Sequence, residues 1–597
     1  MSGSALAPEL ALLSRRKRIA LAGWFLATLA LGTAGYLRYA REGGEAVSLW
    51  TALYHSAQLF ILHAPHFERH VNLALELARW SAAILFGGTV YQVARQVFQS
   101  EFAALQRRRL SGHLIVGGLG RRALQCVRCE RGKPRGKRRA VVVIDRAPAE
   151  DLAAATTKLG AHVLTGDVND PAVLKAAGLA RAAELWALCA EDSVNCETAV
   201  QAGKLLAAAA PRRAPLACNV HLSDIDLRVE LQRYAAAAAE GTPLALHFFD
   251  LYDFEARRVL LHELPIDHDG IGVDERRQPH LVILGFARMG RSLAIRAAKL
   301  GHFANAARNP ALRLRISVLD RAGAQGEAAL LFRYPQFRSA CELEVHTMDI
   351  ESPAARSLLE GWCGERGSLT SLAVCFDDEA RAVETALRLL PALETQRVRI
   401  AVRLAHRAGL GSMLERVQAH AAGTLQLKSF GRLDEGCCEA ALEESAQERL
   451  ARAIHADFVA QRRAEGRNAH DRSLAEWTVL EEDLRESNRQ QADHVVIKLR
   501  TVGCEAVRQS DPRPALEGFE EAEVELLARM EHARWTAERR LANWSPGEKS
   551  VARRSSPYLV PWAELPGEVQ EYDRAAVRGI PRLLGGIGMK VGRIQDG

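Results

Sequence analysis

The sequence predicts a multidomain chain: an α-helical transmembrane pair, two doubly wound α/β units in tandem, and a mainly α-helical C-terminal module. Three observations predict it. Two apolar segments lie near the N-terminus, a strand–glycine turn–helix pattern occurs twice, and a charged, Trp-containing stretch follows from about Ser445. At 597 residues the chain exceeds one hydrophobic core, and ordinary domain size implies roughly three to five units. Apolar content of 48% with 25% charged residues is ordinary for globular material, so the membrane part is a small fraction. The net charge of +7 is spread thinly, with basic runs beside apolar segments or in loops. No aromatic-interleaved basic stripe appears, which argues against a nucleic-acid partner. The cysteines are scattered, and the pair Cys126–Cys129 has no second C-x-x-C to complete a zinc site. Reduced thiols in a cytosolic compartment, with no metal, are expected.

Ile19 to Leu37 is an uncharged apolar run long enough to cross a bilayer as a helix. It exceeds the core of a signal peptide, and a second apolar segment follows, Val71 to Phe98. Arg15, Arg16, Lys17 and Arg18 precede the first run and Arg107, Arg108 and Arg109 follow the second. The positive-inside rule then places both termini and all large domains in the cytoplasm of an inner-membrane protein, with Ala52–His70 external or re-entrant. Glu76 and Arg79, three apart, share a helix face; they either line a cavity or lie solvated among headgroups. Gly87-Gly88 is either a bend in an inner helix or a close-packing site.

After the basic flank, HLIVGGLGRRALQCV reads as strand, glycine turn and helix. Gly118, Gly120 and Ala123 have the G-x-G-x-x-[G/A] spacing, which lets backbone approach a pyrophosphate at a helix N-terminus. The strand AVVVIDR ends at Asp145, placed to accept from ribose hydroxyls, with the basic loop RGKPRGKRR in between. The pattern returns in HLVILGFARMGRSLAIRAAKLG, with Gly285, Ala287 and Gly290 in register and RISVLDR ending at Asp320. This is a duplication of a Rossmann-like unit. Ala287 stands where the middle glycine gives closest phosphate approach, so the first copy is the better nucleotide site.

Both copies resemble the RCK (regulator of potassium conductance, TrkA-N-like) domain, over about half the chain. The resemblance implies Rossmann-like units that dimerise, assemble beneath a tetrameric pore and bind nucleotides or ions. By position it makes Gly118, Gly120, Asp145, Gly166 and Asp167 the nucleotide cleft of the first copy, with Gly285, Gly290, Asp320 and Asp349 matching in the second. A nucleotide or NAD-type dinucleotide is the implied cofactor. The expected domains are 1–110 (membrane), 111–250 (first RCK-like), 251–278 (linker), 279–435 (second RCK-like) and 445–597.

The last part, from ELLARMEHARWTAERRLANW to EYDRAAVRGIPRLL, resembles the ryanodine-receptor repeat. The matching pieces are His532, Arg534, Trp535 and Arg539, then Trp544 and Gly547, then Leu559 to Trp562, and Glu571 to Arg574. EWTVLEEDLRESNRQQA, upstream, looks like a diverged partner repeat. Trp535 and Arg539, one helical turn apart, suit a purine and a phosphate, with Arg553, Arg554 and Tyr558 completing the site. The alternative is core aromatics with solvated arginines.

With two spans flanking a pore-helix-like segment, the chain resembles a two-span potassium-channel-like protein. Potassium-selective members carry a glycine-containing filter after the pore helix; this chain has LFILHAP there. Phe60, Ile61 and Leu62 are expected to resist the left-handed conformations that glycine supplies. Gln58, His63, His66 or the Glu76–Arg79 pair would then set ion preference, or Phe60–Leu62 would gate by dewetting. The reading is a ligand-gated, channel-like homotetramer in a lipid bilayer, with cation transport of potassium type regulated by a small nucleotide, and not an enzyme. The alternatives are a membrane-anchored nucleotide sensor or scaffold without a pore, and an NAD-dependent enzyme.

Overall fold

The computed structural model describes residues 6–594 apart from 64–66, 68–69, 98, 210–213, 224–226, 228–230, 232–242, 394–397, 405–408, 410, 412, 415–425, 432–445, 467–470 and 478–479. The chain divides into two compact units, Met1–Arg109 and Leu110–Gly597.

In the first unit, helix α1 (Leu6–Glu42) contains the first apolar run. Helix α2 (Leu49–Gln58) is capped by Ser48, whose side chain accepts from Thr51 N, and α3 (Leu73–Val97) follows. Among the described residues, one segment, Leu73–Tyr91, is long and apolar enough to cross a membrane. Two glycines set the packing. A Cβ on Gly32 would overlap Ser56 Oγ of α2, and one on Gly35 would come within 2.8 Å of Leu75 N of α3. Polar side chains follow those approaches: Ser56 Oγ donates to Leu29 O at 2.9 Å and Asn72 Nδ2 to Gly35 O at 2.9 Å. Helix α3 runs unbroken through Gly87 and Gly88, neither of which has a neighbour within 4 Å where a Cβ would stand. Beyond it lies α4 (Gln99–Arg108).

The second unit holds two parallel sheets. The first comprises β1 (Leu114–Gly117), β2 (Val141–Asp145), β3 (His162–Thr165), β4 (Glu184–Ala187), β5 (Leu216–His221) and β6 (Leu244–Phe249), in the order β3-β2-β1-β4-β5-β6. The second comprises β7 (Gln278–Leu284), β8 (Arg315–Asp320), β9 (Glu342–Thr347), β10 (Ser368–Val374), β11 (Arg399–Arg403) and β12 (Gln426–Phe430). Its order, β12-β11-β10-β7-β8-β9, is the same arrangement read from the other side. Both match the doubly wound order whose crevice opens where strand direction of travel reverses, beside β1 and β4 or β7 and β10. The duplication seen in sequence is thus a duplication of topology. Helix α5 (Arg121–Gly132) follows the first glycine turn.

The segment 251–278 departs from the expected linker. Leu251–Arg258 is a helix, α6, continued by a π turn, Val259–Glu263. Ala256, Val259, Leu260, Leu261, Leu264 and Ile266 are buried in the core of the second sheet. The physical reason is apolar: VLLHELPI has too much hydrocarbon to remain solvated.

That core continues into the C-terminal module. Helix α7 (Arg288–Leu300) starts at the second glycine turn and is buried on nearly every side, Met289 through Leu300. One face lies on the sheet; the other is covered by two helices of the module, α9 (Glu482–Thr501) and α10 (Glu521–Leu541). Before them comes α8 (Ala446–Ala464), and after them α11 (Gly567–Arg578). The module closes on an antiparallel pair, Cys504–Arg508 with Met589–Arg593. Its helices associate as α8 with α9 and α10 with α11.

Charge is buried at this junction. Arg296 of α7, 3% exposed, reaches Asp253 of α6 at 2.6 Å, Glu486 of α9 at 3.2 Å and Asp493 of α9 at 3.8 Å. Arg257 of α6 holds the other side of Asp493 at 2.6 Å. Truncating one partner of such a set strands the rest in low dielectric, at a cost of about 3–5 kcal/mol. Arg296→Ala is therefore expected to destabilise the junction by about 3 kcal/mol, since Arg257 remains. Hydrogen exchange in the full-length protein checks this, through faster exchange of α7 and α9 amides.

Candidate functional site

The first crevice is built at the C-terminal ends of the strands. Gly118, at φ +92°, ends β1; a Cβ there would stand 3.1 Å from the Cys189 backbone after β4. Only glycine meets both conditions. Asp145, ending β2, holds the turn: Leu119 N donates to Oδ2 at 2.6 Å and Ala147 N to Oδ1 at 2.9 Å. The expected ribose acceptor is thus first a brace for the glycine loop, with further lone pairs on both oxygens still available. Gly120 caps α5 without any side chain, at φ −99° and ψ −176°, and nothing lies within 4 Å of where its Cβ would be. The N-terminal amides of α5, a ready anion site, therefore stand open. Ala123 is fully buried beneath them.

Gly166 follows β3, and its amide donates to Asp145 O at 2.8 Å. Asp167 accepts from Asn169 N at 2.9 Å and pairs with Arg146. The Arg146 guanidinium holds its carboxyl below the usual range. Burial, with Asp145 and Asp167 nearby, pushes the Cys189 thiol up to about 11, so it is a neutral wall of the crevice. Sequence reasoning missed Asn195. Fully buried, it clasps Cys189 through N and O at 2.8 and 3.0 Å and also donates to His221 O at 3.0 Å, fixing the loops after β4 and β5. Its signal was an amide in the SVNCETA helix start, three residues after Asp192.

The second crevice repeats the brace and not the opening. Phe286 N donates to Asp320 Oδ2 at 2.7 Å and Ala322 N to Oδ1 at 2.6 Å; Arg321 pairs with Asp349 as Arg146 does with Asp167. Gly290 is a packing position, because a Cβ there would overlap Gly285 O. Opposite Gly285, φ +96°, stands Phe376 at 3.0 Å rather than a cysteine. Arg381 lies over that ring at 4.8 Å and reaches Asp349 at 3.9 Å and Glu351 at 3.5 Å. Protein side chains occupy the mouth, and Ala287 puts a methyl at the helix N-cap.

In the C-terminal module, Arg539 lies between two indoles, 5.7 Å from Trp535 and 5.0 Å from Trp544. Trp535 in turn stacks on His532, centroids 6.0 Å apart. Trp544 O accepts from Gln336 Nε2 at 3.1 Å, tying this corner to the second α/β unit. Arg554 is a cap for α10, donating to Ala542 O at 3.2 Å, while Arg553 and Tyr558 are exposed beside it. The sequence-based site is thus split: Trp535, Arg539 and Trp544 converge, and Arg554 serves the backbone. Below them is a buried charged cluster that sequence reasoning read only as pattern. Lys498 and Arg534 both pair with Glu531, Arg534 reaches Glu538 at 2.6 Å, and Asp573 faces His532 at 3.7 Å. A cavity of about 350 Å³ lined by Val273, Ala522, Glu523, Glu525, Leu526 and Arg529 involves none of these groups.

Near the N-terminus, Gln58 Oε1 meets His55 Nδ1 at 3.0 Å, and Phe60 packs on Phe25 of α1 at 4.4 Å. Ile61 and Leu62 are exposed, and His63 N bonds back to Gln58 O. Leu62 adopts the left-handed conformation, φ 59° and ψ 24°, against expectation. Its amide closes a 3-10 turn onto Leu59 O, which offsets a backbone cost of about 1–2 kcal/mol. Glu76 and Arg79 pair at 2.9 Å, both part-exposed, with Arg79 over the Phe67 ring. His66 lies outside the described residues.

Residues 114–214, which include every first-crevice residue named above except His221, match the TrkA-N domain family. Residues 515–593, spanning α10 and α11, match the RyR domain family. Among solved structures, GsuK bound to ADP is 15% identical, with 73% of this chain and 98% of that one covered and a TM-score of 0.36. A GsuK channel bound to NAD is 14% identical, with 87% and 90% covered and a TM-score of 0.35. No curated protein matches the chain.

Burial, aided by the Glu531 charge, raises the Asp573 carboxyl to about 8. Unfolded, this carboxyl ionises near pH 4, so between about 4 and 8 the folded state holds the extra proton and stability falls as pH rises. Asp573→Asn is expected to remove that slope. Thermal unfolding of both proteins across this range checks it: the variant should gain on the wild type toward pH 8 and match it near pH 4.

Proposed function

We propose that the chain is a ligand-gated, channel-like membrane protein in which nucleotide binding to the first α/β crevice, and to the repeat module, biases cation transport of potassium type. The observation that carries the ligand assignment is the open N-terminus of α5 at Gly120, beside a glycine turn braced by Asp145. Anions favour such a site because unpaired N–H groups and the helix dipole both point at it. The TrkA-N match supports a nucleotide of NAD or adenine type as ligand. The second crevice, occupied by Phe376 and Arg381, serves as scaffold.

Gating needs a route from ligand to pore, and differential affinity worth about 1–3 kcal/mol suffices. Helix α7, gripped by sheet and repeat module together, makes the two ligand modules one mechanical body. The apolar α3 supports membrane insertion, and an inner-membrane homotetramer with cytoplasmic domains completes the reading. The TrkA-N fold here acts by binding, without catalysis. A second reading, an anchored nucleotide sensor without a pore, is favoured by one observation: Phe60 packs inward on α1 in place of a glycine filter.

Gly120→Val separates ligand binding from folding, because its backbone is extended and its Cβ space is empty. The variant is expected to unfold at the wild-type temperature without ligand and to lose the shift that NAD or adenine nucleotides give the wild type, with affinity down at least about tenfold. Potassium flux into proteoliposomes with and without nucleotide tests the transport half; a nucleotide-stabilised protein that passes no ions leaves the sensor reading.

A further inference from the structure

The two ends of the first sheet carry opposite charge. Loops that feed the strands at their N-terminal ends, 109–113, 132–140, 159–161 and 177–183, contain no Asp or Glu and hold Arg109, Lys133, Arg135, Lys137, Arg138, Arg139 and Arg181. Loops leaving the opposite ends hold Asp145, Asp167, Asp170, Glu191 and Asp192. With strands of four or five residues the two ends are about 13–17 Å apart.

The basic end is a built surface. Glu130, 3% exposed, gathers both ends of the 133–139 loop: it accepts from Lys133 Nζ at 2.7 Å, Arg139 N at 2.8 Å and Arg139 Nη2 at 3.2 Å. Arg139 also reaches Glu184 at 3.0 Å. Arg138 Nε donates to Lys133 O at 2.7 Å, and Arg135–Lys137 form a 3-10 turn. The loop's acids and two of its cations are consumed in holding its shape. Arg135, Lys137 and Arg138 are left displayed on the outer turn, exposed.

Chain continuity fixes which end of the sheet this is. Leu114 N donates to Ala140 O at 2.9 Å, Gly112 N to Arg181 O at 2.8 Å, and Arg181 Nε to Leu110 O at 3.1 Å. The basic loop and Arg181 therefore flank the strand by which the chain arrives from α3 and α4. A cation cluster tethered a few turns from a spanning helix meets the anionic leaflet at high local concentration.

We propose that the Arg135–Arg138 turn, with Arg181, is a docking surface for the anionic headgroups of the bilayer that α3 enters. This rests on the membrane reading above. Contact would hold the nucleotide crevice, at the far end of the strands, turned away from the membrane and open to the cytoplasm.

Full-length protein carrying a nitroxide at Gly136→Cys, a position with nothing within 4 Å of its Cβ, tests it in nanodiscs. A second label at Ile84→Cys on exposed α3 reports insertion; identically treated wild type supplies the background. Discs contain phosphatidylcholine alone or with about a third phosphatidylserine, and relaxation by a lipid-anchored nickel chelate is read. The Gly136 label is expected to gain about threefold or more in relaxation with phosphatidylserine. About 0.5 M salt, or the triple change R135Q/K137Q/R138Q, should remove that gain. Equal relaxation in both lipids, with the Ile84 label relaxed in both, overturns the docking surface and leaves the membrane reading standing. No relaxation at either label overturns both. A gain abolished by competing duplex oligonucleotide at equal charge concentration, with no salt-matched loss to polyglutamate, overturns it in favour of a nucleic-acid surface.

Discussion

Arg296 is the charge around which the second unit closes. It lies on α7, whose apolar face rests on the second sheet, and it projects into helices that belong to the C-terminal module. A guanidinium at 3% exposure persists only if carboxylates reach it from several sides, and they come from α6 and α9. Meeting that condition ties together the segment after β6, the second glycine-turn helix and the first helices of the repeat module. Hydrophobic contact supplies the attraction, while the buried ions restrict which arrangement is acceptable. The outcome is one core running from β7 and β8 to Leu527 and Ala537.

This junction explains why two copies of one fold have diverged. Helix α5 keeps a solvent face, and its N-terminus is unobstructed at Gly120. Helix α7 has neither freedom. Its outer face serves the repeat module, and its crevice holds Phe376 and Arg381 across the acid that braces the turn. A nucleotide there would have to displace a stacked cation and ring already in place; in the first crevice it meets empty space. The brace itself, an aspartate accepting two turn amides, is common to both copies because each glycine turn needs it whether or not ligand binds.

The repeat module shows a different use of aromatic and charged residues. Trp535 and Trp544 enclose Arg539, so the cage expected to hold a ligand holds its own guanidinium. Beneath it Lys498, Glu531, Arg534, His532 and Asp573 form a buried ionic cluster in contact with α7's neighbours. Both features connect the ligand-facing surface of this module to the second α/β unit, as does the Gln336 bond to the Trp544 carbonyl. In the membrane unit, close helix approach at Gly32 and Gly35 does comparable work with small residues and backbone acceptors.

Periodicity and turn chemistry made much of this legible in the sequence. Buried strands such as VVVID, the glycine turns, the terminal aspartates and the duplicated order follow from local rules that bind each residue to its neighbours in the chain. The apolar N-terminal runs and the Trp–Arg spacing of α10 were legible for the same reason. What depends on contacts between distant segments was not. The segment 251–278 read as a linker because its apolar run is short, and only the sheet it covers turns it into core. Leu62 accepts a left-handed backbone because a turn amide bond compensates it. Asn195, Glu130 and Arg296 look like ordinary surface residues in the sequence, since nothing local says what will bury them. Burial is a property of the partner surface, and tertiary structure alone decides which partner arrives.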